Sequence, residues 1–258
     1  MASASNLRWP GAKTRAVEQI LEHFPRNLGV VASPFLGGGS VELALCDRGV
    51  KVCGYDRCSY LINYWQVLLR SPERLANRMQ SLFLPKMKEM EGQFFYRLQK
   101  AIGLVDDPWD RAGCFFTLNR SSFSGLTLAG GMSPGFERLT ENSIERLRQF
   151  SCTNLQVHCQ DFRLSIPANS NRFLFLDPPY ALPKGKSNLY GVKGRSHKLF
   201  NHLALARLLK LRKDGGFILC YNDSKFIRDL YKEYSQVRLE WAYGMGKSKK
   251  SSELLVIA

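Results

Sequence analysis

The 258-residue chain is short of acid. Asp and Glu number 22 against 37 Lys and Arg, a formal charge of +15. Such an excess points to a polyanionic partner such as nucleic acid, the plainer alternative being a basic protein without that role. Long apolar runs are also missing: none approaches the roughly 18 residues a membrane span needs. Met1 to Lys13 is polar and lacks the apolar stretch of a secretory leader. An intracellular, cytoplasmic protein with no membrane partner is expected. No CxxC pair occurs among the seven cysteines, and His23, His158, His197 and His202 do not pair with them at zinc-ligand spacing. The cysteines are read as free thiols in a reducing compartment, several of them as small hydrophobes in apolar runs. No metal is expected, and no internal repeat is visible. Hydrophobic residues make up 45%, enough for the core of one or two domains, which excludes a disordered or collagen-like chain.

What is present has an order. An apolar run from Val30 to Leu36 leads into Gly37-Gly38-Gly39-Ser40 and then a helical pattern from Val41 to Asp47. A second strand is expected over Lys51–Asp56 and a helix from about Ser59 to Leu69. Strand, turn, helix, strand is the start of a parallel, doubly wound sheet. Residues 71 to 150 read differently: mostly helical, rich in Arg, Lys and aromatics, with a Gly/Ser-rich stretch from Asn119 to Gly135. They are expected to form an inserted second lobe. Strand patterns resume at Leu155–Gln160, Arg172–Leu176, Phe217–Asn222, Val237–Ala242 and Leu254–Ile257. Helices are expected from about Lys198 to Arg212 and from near Ser224.

Two motifs carry chemistry. A glycine turn that ends a strand and opens a helix aims backbone N–H groups at a carboxylate or phosphate, and lets the backbone approach closely. Asp56 ends the next strand, where an acid accepts hydrogen bonds from ribose hydroxyls. Together they point to an adenosine-type cofactor. The dinucleotide fingerprint is excluded, because Glu42 stands at its third glycine position. A tight turn without a ligand is the plainer alternative. The second motif, Asp177-Pro178-Pro179-Tyr180, ends the apolar run Phe173–Leu176. Strand ends are where open α/β sheets bind ligands, and consecutive prolines make a rigid turn. The Asp177 carboxylate and the Pro178 carbonyl then lie side by side, with an aromatic ring next to them. That set fits a planar group with an exocyclic amine, such as adenine.

In order along the chain, these segments resemble the Dam-type, alpha-group (D12 class) DNA adenine N6-methyltransferases. Leu7 to Lys13 resembles the family's K-W-x-G-G-K motif, and Pro34 to Ser40 its PFxGxGS motif. Tyr55-Asp56 fits the ribose-binding acid. Asn119-Arg120 with Phe123 to Leu126 resembles the NRxxFNGL segment of the DNA-binding lobe. Gln160-Asp161-Phe162 resembles the DF motif, and Asp177 to Tyr180 is the DPPY motif. Departures are Arg8, Pro10 and Ala12 in the first motif, Ser124 where Asn is usual, and Thr127 to Gly135 in place of the usual base-reading hairpin. These bear on the target sequence rather than on the reaction.

The resemblance implies an α/β, Rossmann-like fold with a mainly parallel sheet, helices on both faces and an inserted helical DNA-recognition lobe. The catalytic domain would comprise 1–70 and 151–258, the lobe 71–150. It implies S-adenosylmethionine as methyl donor and a flipped adenine of double-stranded DNA as acceptor. Asp177, Pro178, Pro179 and Tyr180 would be catalytic. Trp9, Lys13, Pro34, Phe35, Gly37, Gly38, Gly39, Ser40, Asp56, Asp161, Phe162 and Asp177 would hold the cofactor. Asn119, Arg120 and Ser124 would meet DNA. So would a basic tract after DPPY with Lys184, Lys186, Lys193 and Arg195, which reads as a loop closing on the phosphate backbone. Gly246 to Lys250 is a weaker phosphate candidate.

Two rival readings are an RNA adenine N6-methyltransferase and a DNA-binding protein of the same fold without catalysis. The insertion between Asp56 and Asp161 favours DNA, and the intact DPPY favours catalysis. Cytosine N4 methylation is disfavoured by Asp177, since those enzymes usually carry Ser there. A prokaryotic or phage-infected cell is the expected setting. Defence, repair timing and a restriction-modification partnership are all open roles, as is the oligomeric state.

Overall fold

The structure, a computed structural model, describes residues 5–133, 138–181, 199–242 and 250–258. Among them lie β1 (Val30–Ser33), β2 (Lys51–Asp56), β3 (Leu155–Cys159), β4 (Phe173–Leu176), β5 (Phe217–Asn222), β6 (Ser235–Ala242) and β7 (Lys250–Ile257). They form one sheet in the order β3-β2-β1-β4-β5-β7-β6. Strands β1 to β5 pair in parallel, and β7 runs antiparallel between β5 and β6. The chain moves from β1 outward to β3, then returns to the other side of β1 as β4. That reversal is the switch point where α/β sheets open a crevice.

Both faces of the central strands β1, β4 and β5 are buried, so these read as near-continuous apolar runs, whereas the edge strand β3 alternates buried and exposed residues. Alternation still sorts their side chains. Phe175, Ile218 and Cys220 join one core with α1 (Val17–Leu21), α2 (Ser40–Asp47) and α3 (Ser59–Arg70). Leu174, Leu176, Phe217, Leu219 and Tyr221 face the other way. There they meet α8 (Phe162–Ala168), α9 (His202–Lys210) and α10 (Lys225–Leu230). The α/β sheet with helices on both faces is therefore as the sequence implies.

Between α3 and β3 the chain forms α4 (Pro72–Arg78), α5 (Leu84–Ala101), α6 (Pro108–Ser121) and α7 (Glu141–Arg148). Pro72 and Pro108 sit in the first turns of α4 and α6, where a missing N–H is harmless. Asp107 caps α6, and Thr140 with Ser143 forms a capping box on α7. A π-helical turn over Met79–Phe83 runs into the start of α5, where Pro85 lies in the first turn. These helices pack directly on α3: Tyr64 stacks parallel on Phe116 at 5.8 Å between ring centroids, and Trp65 lies 6.1 Å from Phe150. The insertion thus shares one core with the sheet's first face.

Some boundaries differ from expectation. The first strand ends at Ser33, because Pro34 has no N–H for the ladder. The helix expected from Lys198 begins at His202, since Asn201 accepts a hydrogen bond from the Ala204 amide and caps it.

Candidate active site

A cavity of about 310 Å³ opens beneath the switch point. Its walls come from the N-terminal segment, the glycine turn, the ends of β2 and β4, and the start of α8. Trp9, Lys13, Pro34, Phe35, Gly37, Gly38, Gly39, Ser40, Asp56, Asp161, Phe162, Asp177 and Pro179 all line it. Sequence positions separated by more than 160 residues are brought together by the β1–β4 pairing.

The turn after β1 is shaped by tight packing. Gly37 and Gly39 have φ of +49° and +70°, a region that side chains other than glycine's disfavour. A Cβ at Gly37 would stand 2.6 Å from Trp9 Nε1, and one at Gly38 2.6 Å from Trp9 Cβ. Trp9 therefore lies directly on the turn. From below, Trp65 Nε1 donates to the Gly37 carbonyl at 3.1 Å. The turn is held between two indoles and leads straight into α2, whose first residue, Ser40, also lines the cavity.

Asp56 ends β2 with its carboxylate receiving two amides, from Gly37 at 3.2 Å and from Cys58 at 2.9 Å. Burial pushes its pKa up, and those hydrogen bonds oppose the shift. Each oxygen keeps lone-pair capacity toward the cavity. Asp161 caps α8 through the Arg163 amide at 3.0 Å. Phe35, Phe162 and Phe200 form a ring cluster, with centroids 5.3 to 5.6 Å apart. A carboxylate beside an aromatic wall suits a ribose joined to a purine.

At the end of β4, Lys13 Nζ donates to both Asp177 oxygens, at 2.7 and 2.6 Å, and to the Gly11 carbonyl at 2.8 Å. The ammonium also stands 4.9 Å from the Tyr180 ring centroid. Two further carboxylates face this lysine. Glu253 Oε2 on β7 is 3.8 Å from Nζ. Glu42 on α2 is buried, accepts from the Ser33 hydroxyl at 2.6 Å, and feels both Lys13 and Asp177. Burial pushes Glu42 and Glu253 each up to about 7. Burial likewise raises Asp177, while Lys13 holds it down. Lys13 itself is raised despite burial, by Asp177 first and Glu253 second.

The recognition segment corrects one expectation. Asn119 is fully buried. Its oxygen accepts from the Arg8 amide at 2.8 Å, and its Nδ2 donates to Arg8 O, Gly125 O and Thr127 Oγ1. It ties the N-terminal segment to the insertion and has no face left for DNA. Gly125 completes the tie: a Cβ there would lie 1.7 Å from the Arg8 carbonyl oxygen. Arg120 is partly exposed, and its Nε donates to Arg138 O at 2.7 Å. Burial, then Arg8 and Arg146, push its pKa down to about 10. Among the described residues Arg8, Arg138 and Arg146 act on Arg120, and guanidinium groups gathered in this way attract anions. Ser124 is exposed at φ +51°. Lys184, Lys186, Lys193, Arg195 and the tract Gly246 to Lys249 lie outside the described residues.

Sequence reasoning missed Glu42, Phe200 and Glu253 as parts of the site. Glu42 and Glu253 did carry a signal, since each is an acid inside or beside an apolar run. Among the described residues no group of three or more His, Cys, Asp or Glu is placed to hold a metal ion, and no helix is long and apolar enough to cross a membrane. The seven cysteines form no disulfide.

A parallel sheet with a glycine turn after β1, an acid ending β2 and DPPY ending β4 defines a methyltransferase that works on an amino group. The chain belongs to the D12 class N6 adenine-specific DNA methyltransferase family, which it matches over residues 9–245. It is similar to the DNA adenine methylase of Haemophilus influenzae, 24% identical over 267 residues that cover 97% of this chain and 92% of that one. The Escherichia coli K12 DNA adenine methylase is 24% identical over 265 residues, with 97% and 94% covered. That of Vibrio cholerae is 27% identical over 237 residues, with 88% and 84% covered. Family and relatives thus support a DNA adenine methyltransferase over the RNA and non-catalytic readings.

Proposed function

We propose that the protein transfers a methyl group from S-adenosylmethionine to N6 of an adenine flipped out of duplex DNA, in the cytoplasm. The observation that carries this reading is that Asp56 and Asp177 open on one aromatic-walled cavity under a glycine turn. Its size falls at the lower end of the range for small-molecule sites, roughly 300–1,000 Å³. Asp56 would take the ribose hydroxyls, Phe35, Phe162 and Asp161 the adenine side, and Trp9, Lys13 and the backbone of Gly37 to Ser40 the methionine side. When bound, the cofactor supplies a methyl activated by a sulfonium, so the protein need only position and stabilise.

The N6 lone pair of adenine is delocalised into the ring, which makes the amine a poor nucleophile. Asp177 and the Pro178 carbonyl would each accept one amine hydrogen and localise the lone pair. The Asp177 charge then stabilises the cation that develops on nitrogen. Fixing the amine in line with the methyl supplies much of the remaining rate. A base inside a duplex cannot reach this depth and must be extruded, with Tyr180 stacking on it. Residues 71–150 would form the recognition lobe. Arg120, Ser124, Lys184, Lys186, Lys193 and Arg195 are assigned to DNA.

The deciding experiment incubates the protein with methyl-labelled S-adenosylmethionine and unmethylated genomic DNA, then digests the DNA to nucleosides. Label in N6-methyladenine is expected. Label in N4-methylcytosine, or none in DNA, would overturn the assignment.

A further inference from the structure

Lys13 presents a difficulty for the reaction. It holds both oxygens of Asp177, the group that has to receive the adenine amine. A carboxylate that already neutralises an ammonium has less to offer a second cation forming beside it. The surroundings contain a remedy. Glu253 pairs across from Asn222 on β5 and from Leu239 on β6, which fixes it deep in the sheet. Its side chain is only 7% exposed. Among the described residues its Oε2 makes no hydrogen bond of good geometry, although the Tyr180 hydroxyl lies against this carboxyl and favours its ionised form. Yet it stands 3.8 Å from Lys13 Nζ, just beyond hydrogen-bond reach.

A buried carboxylate held only by a poorly aligned hydroxyl and an ammonium 3.8 Å away is costly unless something pairs with it in another state. We propose that Glu253 is a positioning residue: it draws Lys13 off Asp177 when the adenine amine arrives, leaving the Asp177 carboxylate to the amine. The movement required is small, about 1 Å of Nζ along a flexible four-carbon stem, to shorten 3.8 Å to hydrogen-bond length. The inference rests on Asp177 as the acceptor of the amine hydrogens. Glu253 does not touch the substrate; it acts through Lys13.

The titratable groups described around Glu253 are Lys13 from the N-terminal segment, Asp177 and Tyr180 from beyond β4, and Cys220 from β5. Glu42 on α2 faces the same lysine. Only the ionised form of Glu253 can draw the ammonium. The transfer rate should therefore climb as pH rises through about 7, the value to which burial pushes this carboxyl.

The test compares wild type, Glu253→Gln, Glu253→Asp and Asp177→Ala. Single-turnover methylation of a duplex is followed from pH 5.5 to 9, with duplex affinity by anisotropy and thermal melting measured alongside. A 2-aminopurine at the target position reports base extrusion independently of methyl transfer. Glu253→Gln should slow transfer at least about tenfold at pH 8 and lose the rise near pH 7. Its duplex affinity, base extrusion and melting should stay near wild type. Glu253→Asp should recover part of the rate and of the pH dependence. An unchanged rate in Glu253→Gln would overturn the proposal. So would a persisting rise near pH 7, which belongs to Glu42, or a loss of melting temperature that accounts for the rate. Activity retained by Asp177→Ala would instead overturn the assignment of Asp177 on which the inference rests.

Discussion

The Lys13 ammonium and the Asp177 carboxylate form a two-point ion pair, 2.6 and 2.7 Å long, between the N-terminal segment and the end of β4. The acid that the reaction needs is therefore also a fastening for the first residues of the chain. Asp177→Ala removes the close ion-pair partner of the buried ammonium, leaving the Gly11 carbonyl and the more distant Glu253, and is expected to lower stability as well as activity, since breaking a buried pair costs about 3–5 kcal/mol. Asp177→Asn keeps the shape and one of the two acceptors for Lys13. It is expected to lose methyl transfer on the order of 10³-fold while binding the cofactor within a few-fold of wild type. Calorimetric titration beside a methylation assay separates the two effects.

Glu42 makes a stability prediction with a definite sign. Its folded pKa, about 7, lies above the 4.5 of an ordinary glutamate. The folded protein thus keeps a proton that the unfolded chain releases, and stability falls as pH rises from about 4.5 through 7. Glu42→Gln cannot ionise and keeps an acceptor for Ser33. It is expected to be more stable than wild type at pH 8, by up to the order of 3 kcal/mol, and to lose that advantage below pH 4.5. Urea melts at the two pH values measure the difference.

Gly38→Ala places a methyl 2.6 Å from the Trp9 Cβ, an atom that cannot yield without moving the indole. The variant is expected to weaken S-adenosylmethionine binding tenfold or more. Its melting temperature should change by only a few degrees, because the displaced indole lies at the cavity wall rather than in the main core. Unchanged affinity would show that Trp9 does not form the cofactor's roof.

Ser124 holds a left-handed backbone, φ +51° and ψ +20°, at an exposed site. Asn, which the related family usually carries there, tolerates that region better than Ser. Ser124→Asn and Ser124→Gly are both expected to gain about 0.5–1 kcal/mol. If Ser124 touches DNA, only the Asn variant should keep duplex affinity.

Replacing Lys184, Lys186, Lys193 and Arg195 with glutamine is expected to weaken duplex binding evenly across sequences. It should also flatten the plot of log affinity against log salt by roughly 0.9 for each phosphate that is no longer neutralised. An unaltered slope would place those cations away from the backbone.

Legibility followed the physics of each feature. Strands and their order of chemistry were open to reading, because apolar runs bounded by Gly37–Gly39, Asp56 and Asp177 are local signals. So were the cavity residues carried by contiguous motifs. Glu253 was not, because its significance comes from β7 lying antiparallel beside β5, a pairing between distant segments that no local pattern announces. Phe200 was hidden for the same reason. Asn119 was misread in the opposite sense. A polar residue beside an arginine in a basic lobe looks like a contact to DNA, yet its four hydrogen bonds are all spent inside the protein. The separate lobe was also only half legible. Its helices were visible from their periodicity, but the stacking of Tyr64 on Phe116 that merges it with the sheet's core is tertiary.

The fastening of Arg8 by Asn119 and Gly125 has a consequence for the cavity wall. Arg8 rests against the turn from Ser122 to Met132, and Lys13, five positions on, rests against Asp177. Trp9, which lies on the glycine turn, sits between these two ties. The segment that covers the cavity is thus anchored at both ends, once to the insertion and once to the end of β4.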